Sequence, residues 1–206
     1  MNKLKKPLVI VANGNFPYHP IPIDRLKKAS SIIACDGAAD ILIENGYMPN
    51  IIIGDLDSIS RENKIKYKKI IIQLKNQSEN DLRKAIKFSK KQGIGPISII
   101  SATGKREDHT IGNIFSIMDY DDIEVLTDTG SFRCIKNNEK IDSFKGQKIS
   151  LFTIDKTIKI SSKSLKYNFN NESISSIFYG TLNESIEEII SFKLSHGKLL
   201  IFQSHH

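Results

Sequence analysis

Short apolar runs alternate with segments of helical length over about the first 120 residues, and this alternation constrains the fold most strongly. The apolar runs are residues 8–12, 32–35, 51–53, 70–74 and 97–101. The segments of helical length are residues 24–30, 38–45, 60–67, 79–92 and 108–118. Strands that alternate with helices favour parallel pairing, so we predict an α/β domain with a mainly parallel, doubly wound sheet.

The segment 79–92 carries the clearest helical periodicity of the chain. One face is apolar or small and the other is basic, which predicts an amphipathic helix that packs on the sheet. The first face holds Leu82, Ala85, Ile86 and Ser89. The second face is formed mostly by Lys84, Lys87, Lys90 and Lys91.

The pattern changes after about residue 122, where short strand-like runs follow one another without a long amphipathic helix. The runs are residues 123–127, 132–135, 148–153, 157–160 and 198–203. Turn signals separate them, namely Asp128-Thr129-Gly130, Asn137-Asn138, Asn170-Asn171 and His196-Gly197. We therefore predict two domains, residues 1–122 and 123–206, the second a small all-β sandwich or partial barrel.

Composition narrows the class of protein. No apolar run approaches the roughly eighteen residues of a membrane-spanning helix, and the basic start before residues 8–12 has no cleavage site, so it is interpreted as a buried strand. The two cysteines are far apart and indicate reduced thiols in a cytoplasmic protein. The net charge of +7 comes from lysines that are mostly spread along the chain. This favours a solvated surface or attraction for a small polyanion, without nucleic-acid or membrane partners.

Acidic and glycine-containing loops follow four of the predicted strands. Because ligands of open parallel sheets bind beyond the carboxyl ends of the strands, we expect these loops to meet at one rim. The carboxylates gathered there are Asp36, Asp55, Asp57, Asp81 and Asp108. Singly, each also fits a turn or a helix cap. Together they would repel one another without cations, and hard oxygen ligands suit Mg²⁺.

Lys105 and Arg106 follow the strand at 97–101, so they would lie at the same rim and could meet phosphate oxygens. Acid, metal and arginine together are the parts needed for phosphoryl transfer. Neither a GxxxxGK[ST] loop nor a GxGxxG turn occurs in the sequence, so a nucleotide would be held by acid-bound metal and isolated basic residues.

The motifs, in their order, resemble those of thiamine pyrophosphokinases. Residues 36–38 (DGA), 54–59 (GDLDSI), 76–85 (NQSENDLRKA) and 103–113 (TGKREDHTIGN) resemble the family's DGA, GDxDS, DQxxTDxxKA and GGRxDHxxGN motifs. Residues 146–151, 165–167 and 181–184 resemble later stretches of the family, so the resemblance covers nearly the whole chain. The chain departs from the family pattern at Asn76, Asn80, Lys105, Ser164 and Leu182.

The resemblance implies a homodimeric enzyme that transfers pyrophosphate from ATP to the hydroxyl of thiamine, giving thiamine diphosphate and AMP. It implies an ATP- and Mg²⁺-binding catalytic domain, a thiamine-binding β-sandwich, and sites at the subunit interface. The expected metal ligands are Asp55, Asp57 and Asp81, and the expected catalytic residues are Asp57, Asp81, Arg106 and Asp108. The expected ATP-binding residues are Asp36, Gly37, Gly104, Lys105, Arg106 and His109. The expected thiamine-binding residues are Gln77, Thr181 and Asn183.

Two roles and two alternatives stay open in this interpretation. Asp108 either orients Arg106 or completes the metal shell, and the general base is an acid among Asp57 and Asp81. A haloacid-dehalogenase-like phosphotransferase, with Asp55 as covalent nucleophile, is an alternative because Asp55-Leu56-Asp57 follows a strand. An RNA-binding module is a second alternative because of the positive charge, although no aromatic RNA-binding motif occurs.

Overall fold

The computed structural model describes residues 3–206 and divides them into two compact units. The first contains the described residues up to Ser116 together with Asp122–Asp128, and the second contains Ile117–Asp121 and Thr129–His206. Among the helices of residues 3–206, none has the length and hydrophobicity to cross a membrane.

The first unit is built on a six-stranded parallel sheet. Its strands are β1 (Leu8–Val11), β2 (Ser31–Cys35), β3 (Ile51–Gly54), β4 (Ile71–Gln73), β5 (Ile97–Ile100) and β6 (Ile123–Leu126). Their order is β6-β5-β1-β2-β3-β4, and every pairing between them is parallel. The direction of winding reverses between β1 and β5, the kind of position at which open α/β sheets bind ligands. The predicted parallel α/β fold is confirmed.

Within residues 3–206, one α-helix follows each of the strands β1 to β5. These helices are α1 (Pro20–Lys27), α2 (Ala38–Glu44), α3 (Arg61–Lys66), α4 (Asp81–Lys91) and α5 (Glu107–Ser116). Local chemistry sets where they begin: Pro20 occupies the first turn of α1, and the side chains of Ser60 and Asn80 accept the backbone N–H groups of Asn63 and Arg83 at the starts of α3 and α4. Helix α1 therefore begins four residues before the predicted segment.

Helix α4 confirms the predicted apolar face and corrects one residue. Leu82, Ala85, Ile86 and Ser89 are buried as expected. Lys84, which the periodicity placed mostly with the solvent-facing lysines, is also buried. The sequence pattern was wrong here because an ion pair with Asp81, one turn earlier, compensates the buried ammonium.

Strand β6 corrects the expectation that the run 123–127 belongs to an antiparallel β domain. Ile97 pairs with Ile123 and Ile99 with Val125 in a parallel ladder, so β6 extends the first sheet beyond β5. The run is short and apolar like the other buried parallel strands, but no long helix follows it, which is why the pattern placed it with the later strands.

The second unit is an antiparallel β structure, as predicted for the second half of the chain. Its strands are β7 (Gly130–Asp142), β8 (Lys148–Phe152), β9 (Ile160–Lys163), β10 (Asn170–Glu172), β11 (Asn183–Glu184) and β12 (Ile189–Ser204). Strand β12 pairs with β7 along nearly its whole length, and its two ends pair on the other side with β9 and β8. A core of branched aliphatic residues, including Ile149, Leu151, Ile160, Leu199 and Ile201, fills this unit.

Two expected turns lie inside long strands. Asn137-Asn138 is part of β7, and His196-Gly197 is part of β12. The pairing register shifts there, between Lys193 and Lys198, and both Asn137 and Gly197 have positive φ angles. The turn residues thus produce paired irregularities that interrupt the two strands without ending them.

Candidate active site

A cavity of about 500 Å³ lies beyond the carboxyl ends of the strands in the first unit. Loops after β1, β3 and β5, the loop before α4 and the first turns of α4 and α5 surround it. Its lining includes Asn13, Gly14, Asp55, Asp57, Gln77, Asp81, Lys84, Thr103, Lys105, Arg106, His109 and Asn113. Carboxylates, amides and basic side chains from segments distant in sequence therefore face one space.

Asp36 is buried at the end of β2 and organises the loop that follows β3. Its carboxylate accepts backbone N–H groups from Asp57 at 3.1 Å, Ser58 at 3.3 Å and Ile59 at 2.9 Å. Burial raises the pKa of Asp36, the donors from Ser58 and Ile59 oppose this rise, and nearby carboxylates add to it. Gly37, expected to bind ATP, is buried directly after it, and a Cβ there would lie 3.0 Å from the Cβ of Ser58.

Three carboxylates lie close enough together to hold a metal ion. Oxygens of Asp36, Asp55 and Asp57 lie within 4.8 Å of one another, and the three residues are buried, half-buried and exposed, in that order. The predicted ligand Asp81 is also near, because a Cβ on Gly54 would lie 3.0 Å from Asp81 Oδ2 and 2.7 Å from Asp36 Cβ. The loops thus bring all the expected metal ligands to one rim, with Asp36 in addition.

Gln77 lies against this cluster. Its Nε2 donates to Asp55 Oδ2 at 2.9 Å, and this hydrogen bond is the largest cause that lowers the pKa of Asp55. Gln73 Nε2 donates to the backbone oxygen of Asp55 at 2.9 Å. Gln77, in the loop before α4, and Gln73, at the end of β4, therefore hold Asp55 in place, and the Gln77 hydrogen bond favours its ionised form.

The cation side of the cavity comes from the loop after β5. Arg106 forms a two-point ion pair with Asp108, with Nε to Oδ1 at 3.1 Å and Nη2 to Oδ2 at 2.6 Å. The pair raises the pKa of Arg106 and lowers that of Asp108. Between the two roles left open for Asp108, this geometry favours the orientation of Arg106.

The loops after β1 and β5 are held together by backbone contacts. Gly14 N donates to Ser101 O at 2.6 Å, and Asn15 N donates to Thr103 O at 2.8 Å. A Cβ on Gly14 would lie 2.3 Å from Thr103 O, so only glycine permits this approach. The Nζ of Lys105 donates to Asn13 Oδ1 at 2.9 Å.

Gly104 and His109, both expected at the ATP site, are exposed in this region. Gly104 has a φ of 93° and its Cα faces the Asn15 side chain, which a Cβ would approach to 2.6 Å. His109 lines the cavity one residue beyond Asp108.

Thr181 and Asn183, the expected thiamine-binding residues, lie in the second unit and make hydrogen bonds there. Asn183 is buried, its Nδ2 donates to Tyr167 O at 2.7 Å, and its Oδ1 accepts Tyr167 N at 3.1 Å. The Thr181 hydroxyl donates to Phe178 O at 2.7 Å. Both side chains shape a surface on which Tyr167 and Leu182 are exposed, and a direct role in thiamine binding stays a prediction.

The structure adds residues to the cavity that sequence reasoning did not assign. They include Asn13, Thr103, Lys84, Thr110 and Asn113. Asn113 joins two loops, since it accepts Asn80 Nδ2 and donates to Ala102 O, both at 3.0 Å. A detectable signal existed for Asn113 and Lys84, which stand inside the motifs at 103–113 and 76–85.

An α/β unit that gathers carboxylates and cations at the ends of its strands has the parts of a phosphoryl-transfer enzyme, and this is the class of protein that fold and site define. Two family models then cover most of the chain. The model "Thiamin pyrophosphokinase, catalytic domain" matches residues 24–127, and "Thiamin pyrophosphokinase, substrate-binding domain" matches residues 130–202. The chain belongs to the thiamin pyrophosphokinase family.

Solved structures agree with this fold. The chain is similar to thiamine pyrophosphokinase from Bacillus subtilis, with a TM-score of 0.80 and 21% identity over 96% of this chain and 98% of that one. It is similar to the enzyme from Candida albicans, with a TM-score of 0.76 and 20% identity over 95% and 88%. The yeast enzyme gives a TM-score of 0.78 and 17% identity over 96% and 86%. Sequence comparison with curated proteins gives no match.

The protein is therefore an enzyme, a thiamin pyrophosphokinase that transfers pyrophosphate from ATP to thiamine in the synthesis of thiamine diphosphate. Both domain models that match the chain are thiamin pyrophosphokinase models, so neither half of the chain supports the haloacid-dehalogenase-like or the RNA-binding alternative. The family assignment favours the first interpretation over both alternatives.

Asp36→Asn tests whether the buried carboxylate supports the loop after β3. The amide has one acceptor oxygen in place of two, so some of the three N–H groups lose their partner, and we expect the free energy of unfolding to fall by about 1–3 kcal/mol. Urea denaturation in metal-free buffer measures this change. The control is Asp57→Asn, since Asp57 is exposed and accepts only the Ser58 hydroxyl among the side-chain contacts of this loop. Equal stability of the two variants would contradict the assigned role.

Proposed function

We propose that the acidic cluster binds Mg²⁺ and the ATP phosphates, and that the same rim carries out pyrophosphoryl transfer. The observation that carries the proposal is the convergence of Asp36, Asp55 and Asp57, whose oxygens lie within 4.8 Å, beside a cavity that the last two line together with Lys105 and Arg106. The clustered carboxylates would repel one another without a metal cation, and the neighbouring basic side chains suit the phosphates of a metal-bound polyphosphate.

The donor set fits magnesium. Carboxylate oxygens are hard ligands, and Mg²⁺ is commonly held by one or two of them together with phosphate oxygens and water. We propose Asp55, Asp57 and Asp81 as the ligands, directly or through water, because Asp36 already uses both oxygens on backbone N–H groups. When bound, the metal would neutralise phosphate charge and make the β-phosphorus more electrophilic.

The cationic residues serve the leaving group. The guanidinium of Arg106, oriented by Asp108, and the ammonium of Lys105 would stabilise charge that develops on the AMP oxygen as the bond to the β-phosphorus breaks. Asp36, Gly37, Gly104 and His109 contribute by shaping the loops around the nucleotide. Gly14 brings the β1 and β5 loops into backbone contact beside the nucleotide.

The thiamine hydroxyl is the nucleophile of the reaction, and its proton needs an acceptor. We propose that an acid among Asp57 and Asp81 takes it, and that much of the acceleration comes from positioning of the two substrates. Gln77 donates one amide hydrogen to Asp55 and stays exposed, which leaves its other polar atoms for the acceptor substrate.

We also propose a cytoplasmic homodimer with sites that use both chains. Two buried free cysteines, Cys35 and Cys134, are consistent with a reducing compartment. The second unit exposes apolar side chains near Thr181, including Phe178, Tyr179 and Leu182, and thiamine needs a partly apolar pocket. In the proposed dimer this surface meets the rim of the partner's first unit.

Asp57→Asn should keep the fold and lower kcat by about 100-fold or more, because one metal-facing carboxylate is lost from a site that stabilises transition-state charge. The measurement is formation of AMP and thiamine diphosphate from ATP and thiamine, with thermal unfolding recorded in parallel. Glu62→Gln, an exposed acid on α3, is the matched control. Near-normal turnover in folded Asp57→Asn would remove Asp57 from the metal site.

Arg106→Lys keeps the positive charge but loses the planar fork that pairs with Asp108. We expect kcat to fall by about tenfold or more, with a smaller change in the KM for thiamine, because the proposed interaction strengthens as the leaving group gains charge. Steady-state kinetics with each substrate varied separates these effects. A change confined to the KM for thiamine would place Arg106 in the acceptor site.

Mixing two inactive variants tests the shared site. Asp81→Ala removes a carboxylate from the rim, and Thr181→Trp fills the second-unit surface while leaving the Asn183 amide in place. If each site uses both chains, a mixed two-fold dimer contains one site with both parts intact, and activity should return to about half per dimer on subunit exchange. No recovery, with exchange shown by pull-down of differently tagged chains, would mean that each site lies within one chain.

A further inference from the structure

Lys84 is an unusual residue for its position. Among residues 3–206, Asp36 and Lys84 are the only charged residues that are buried, with 2% and 6% of their surfaces exposed. Lysine is almost never buried unless it is paired, because the ammonium loses its hydration. Asp36 belongs to the acidic cluster, and Lys84 lines the cavity beside it. The function proposed for the rim gives Asp36 a role but gives Lys84 none.

The contact that Lys84 makes is directed at one oxygen of a proposed metal ligand. Its Nζ lies 2.8 Å from Asp81 Oδ1, three residues earlier on α4. The second oxygen, Oδ2, faces the end of β3, where a Cβ on Gly54 would approach it to 3.0 Å. The ammonium thus binds Oδ1 of Asp81, while Oδ2 stays on the side of Asp36 and the acidic cluster.

The pair also sets the charge of the rim. Asp36, Asp55, Asp57 and Asp81 converge within a small volume, and like charges at such distances disfavour one another strongly. Lys84 is the buried cation beside them, whereas Lys105 and Arg106 are exposed. A buried charge is screened far less than an exposed one, so its removal changes the local potential most.

We propose that Lys84 is a positioning residue for pyrophosphoryl transfer, which fixes the orientation of the Asp81 carboxylate and offsets part of the negative charge of the rim. This inference rests on the proposed metal-binding role of Asp81. The two contributions of Lys84 affect different properties of the site. The net charge of the rim governs how tightly a cation binds, and the fixed orientation of Asp81 governs turnover.

The test compares Lys84→Met, Lys84→Arg, Asp81→Asn/Lys84→Met and the control Lys91→Met, an exposed lysine on the same helix. Binding of Mn²⁺ to the nucleotide-free protein is followed by the electron paramagnetic resonance signal of free Mn²⁺. Steady-state kinetics gives kcat and both KM values, and thermal unfolding in metal-free buffer gives stability.

In Lys84→Met we expect Mn²⁺ to bind on the order of tenfold more tightly, because a nearby positive charge is gone. We expect kcat to fall by about 100-fold, because Asp81 is no longer held in place. Lys84→Arg should bind Mn²⁺ like the wild type and recover part of kcat. The double variant should melt at a higher temperature than Lys84→Met, since it leaves no partly buried carboxylate without its cation. Lys91→Met should match the wild type in every measurement.

Several results would overturn the inference. A kcat for Lys84→Met within about twofold of the wild type would show that Asp81 needs no such support. A rise in the KM for MgATP with unchanged kcat would make Lys84 a phosphate ligand. If the wild type binds no Mn²⁺, the metal assignment fails by itself. The melting temperatures then decide whether Lys84 and Asp81 are coupled. A double variant no more stable than Lys84→Met would show that the two residues are not coupled.

Discussion

The carboxylate of Asp36 accepts three backbone N–H groups from the loop after the neighbouring strand β3, and the geometry of the site depends on this contact. A loop that leaves a buried strand carries unpaired backbone donors, and burying them without acceptors is costly. Asp36 satisfies them while its own backbone adopts a φ of 43°. The loop in return places Asp55 and Asp57 beside it, so one buried acid determines where two others point.

Much of this arrangement could be predicted from the sequence. Parallel strands end at one edge of a sheet, so acids that follow separate strands must meet there, and β1 to β5 are found within a residue or two of the predicted runs. The rim residues Asp55, Asp57, Asp81, Lys105 and Arg106 do line one cavity. The order of the motifs identified the family because four of them occur in succession.

Other features could not be predicted, each for a physical reason. Periodicity assigns a lysine to the solvent, and Lys84 is buried because a specific partner, Asp81, compensates it. Turn propensity cannot distinguish a chain reversal from an irregularity within a strand, so Asn137 was misassigned. Strand β6 has no following helix to reveal its parallel pairing. The hydrogen bonds that occupy Asn183 involve Tyr167, sixteen residues away, and leave no local signal.

The two ion pairs of the rim differ in a way that follows from their exposure. Lys84 and Asp81 pair with side chains 5% and 25% exposed, whereas Arg106 and Asp108 pair with side chains 71% and 63% exposed. An exposed pair contributes little free energy and exchanges partners readily, while breaking a buried pair leaves an uncompensated charge. The carboxylate side of the cavity is therefore organised before substrates arrive. The guanidinium can turn from Asp108 to a phosphate oxygen at small cost, which suits the role proposed for Arg106 at the leaving nucleotide.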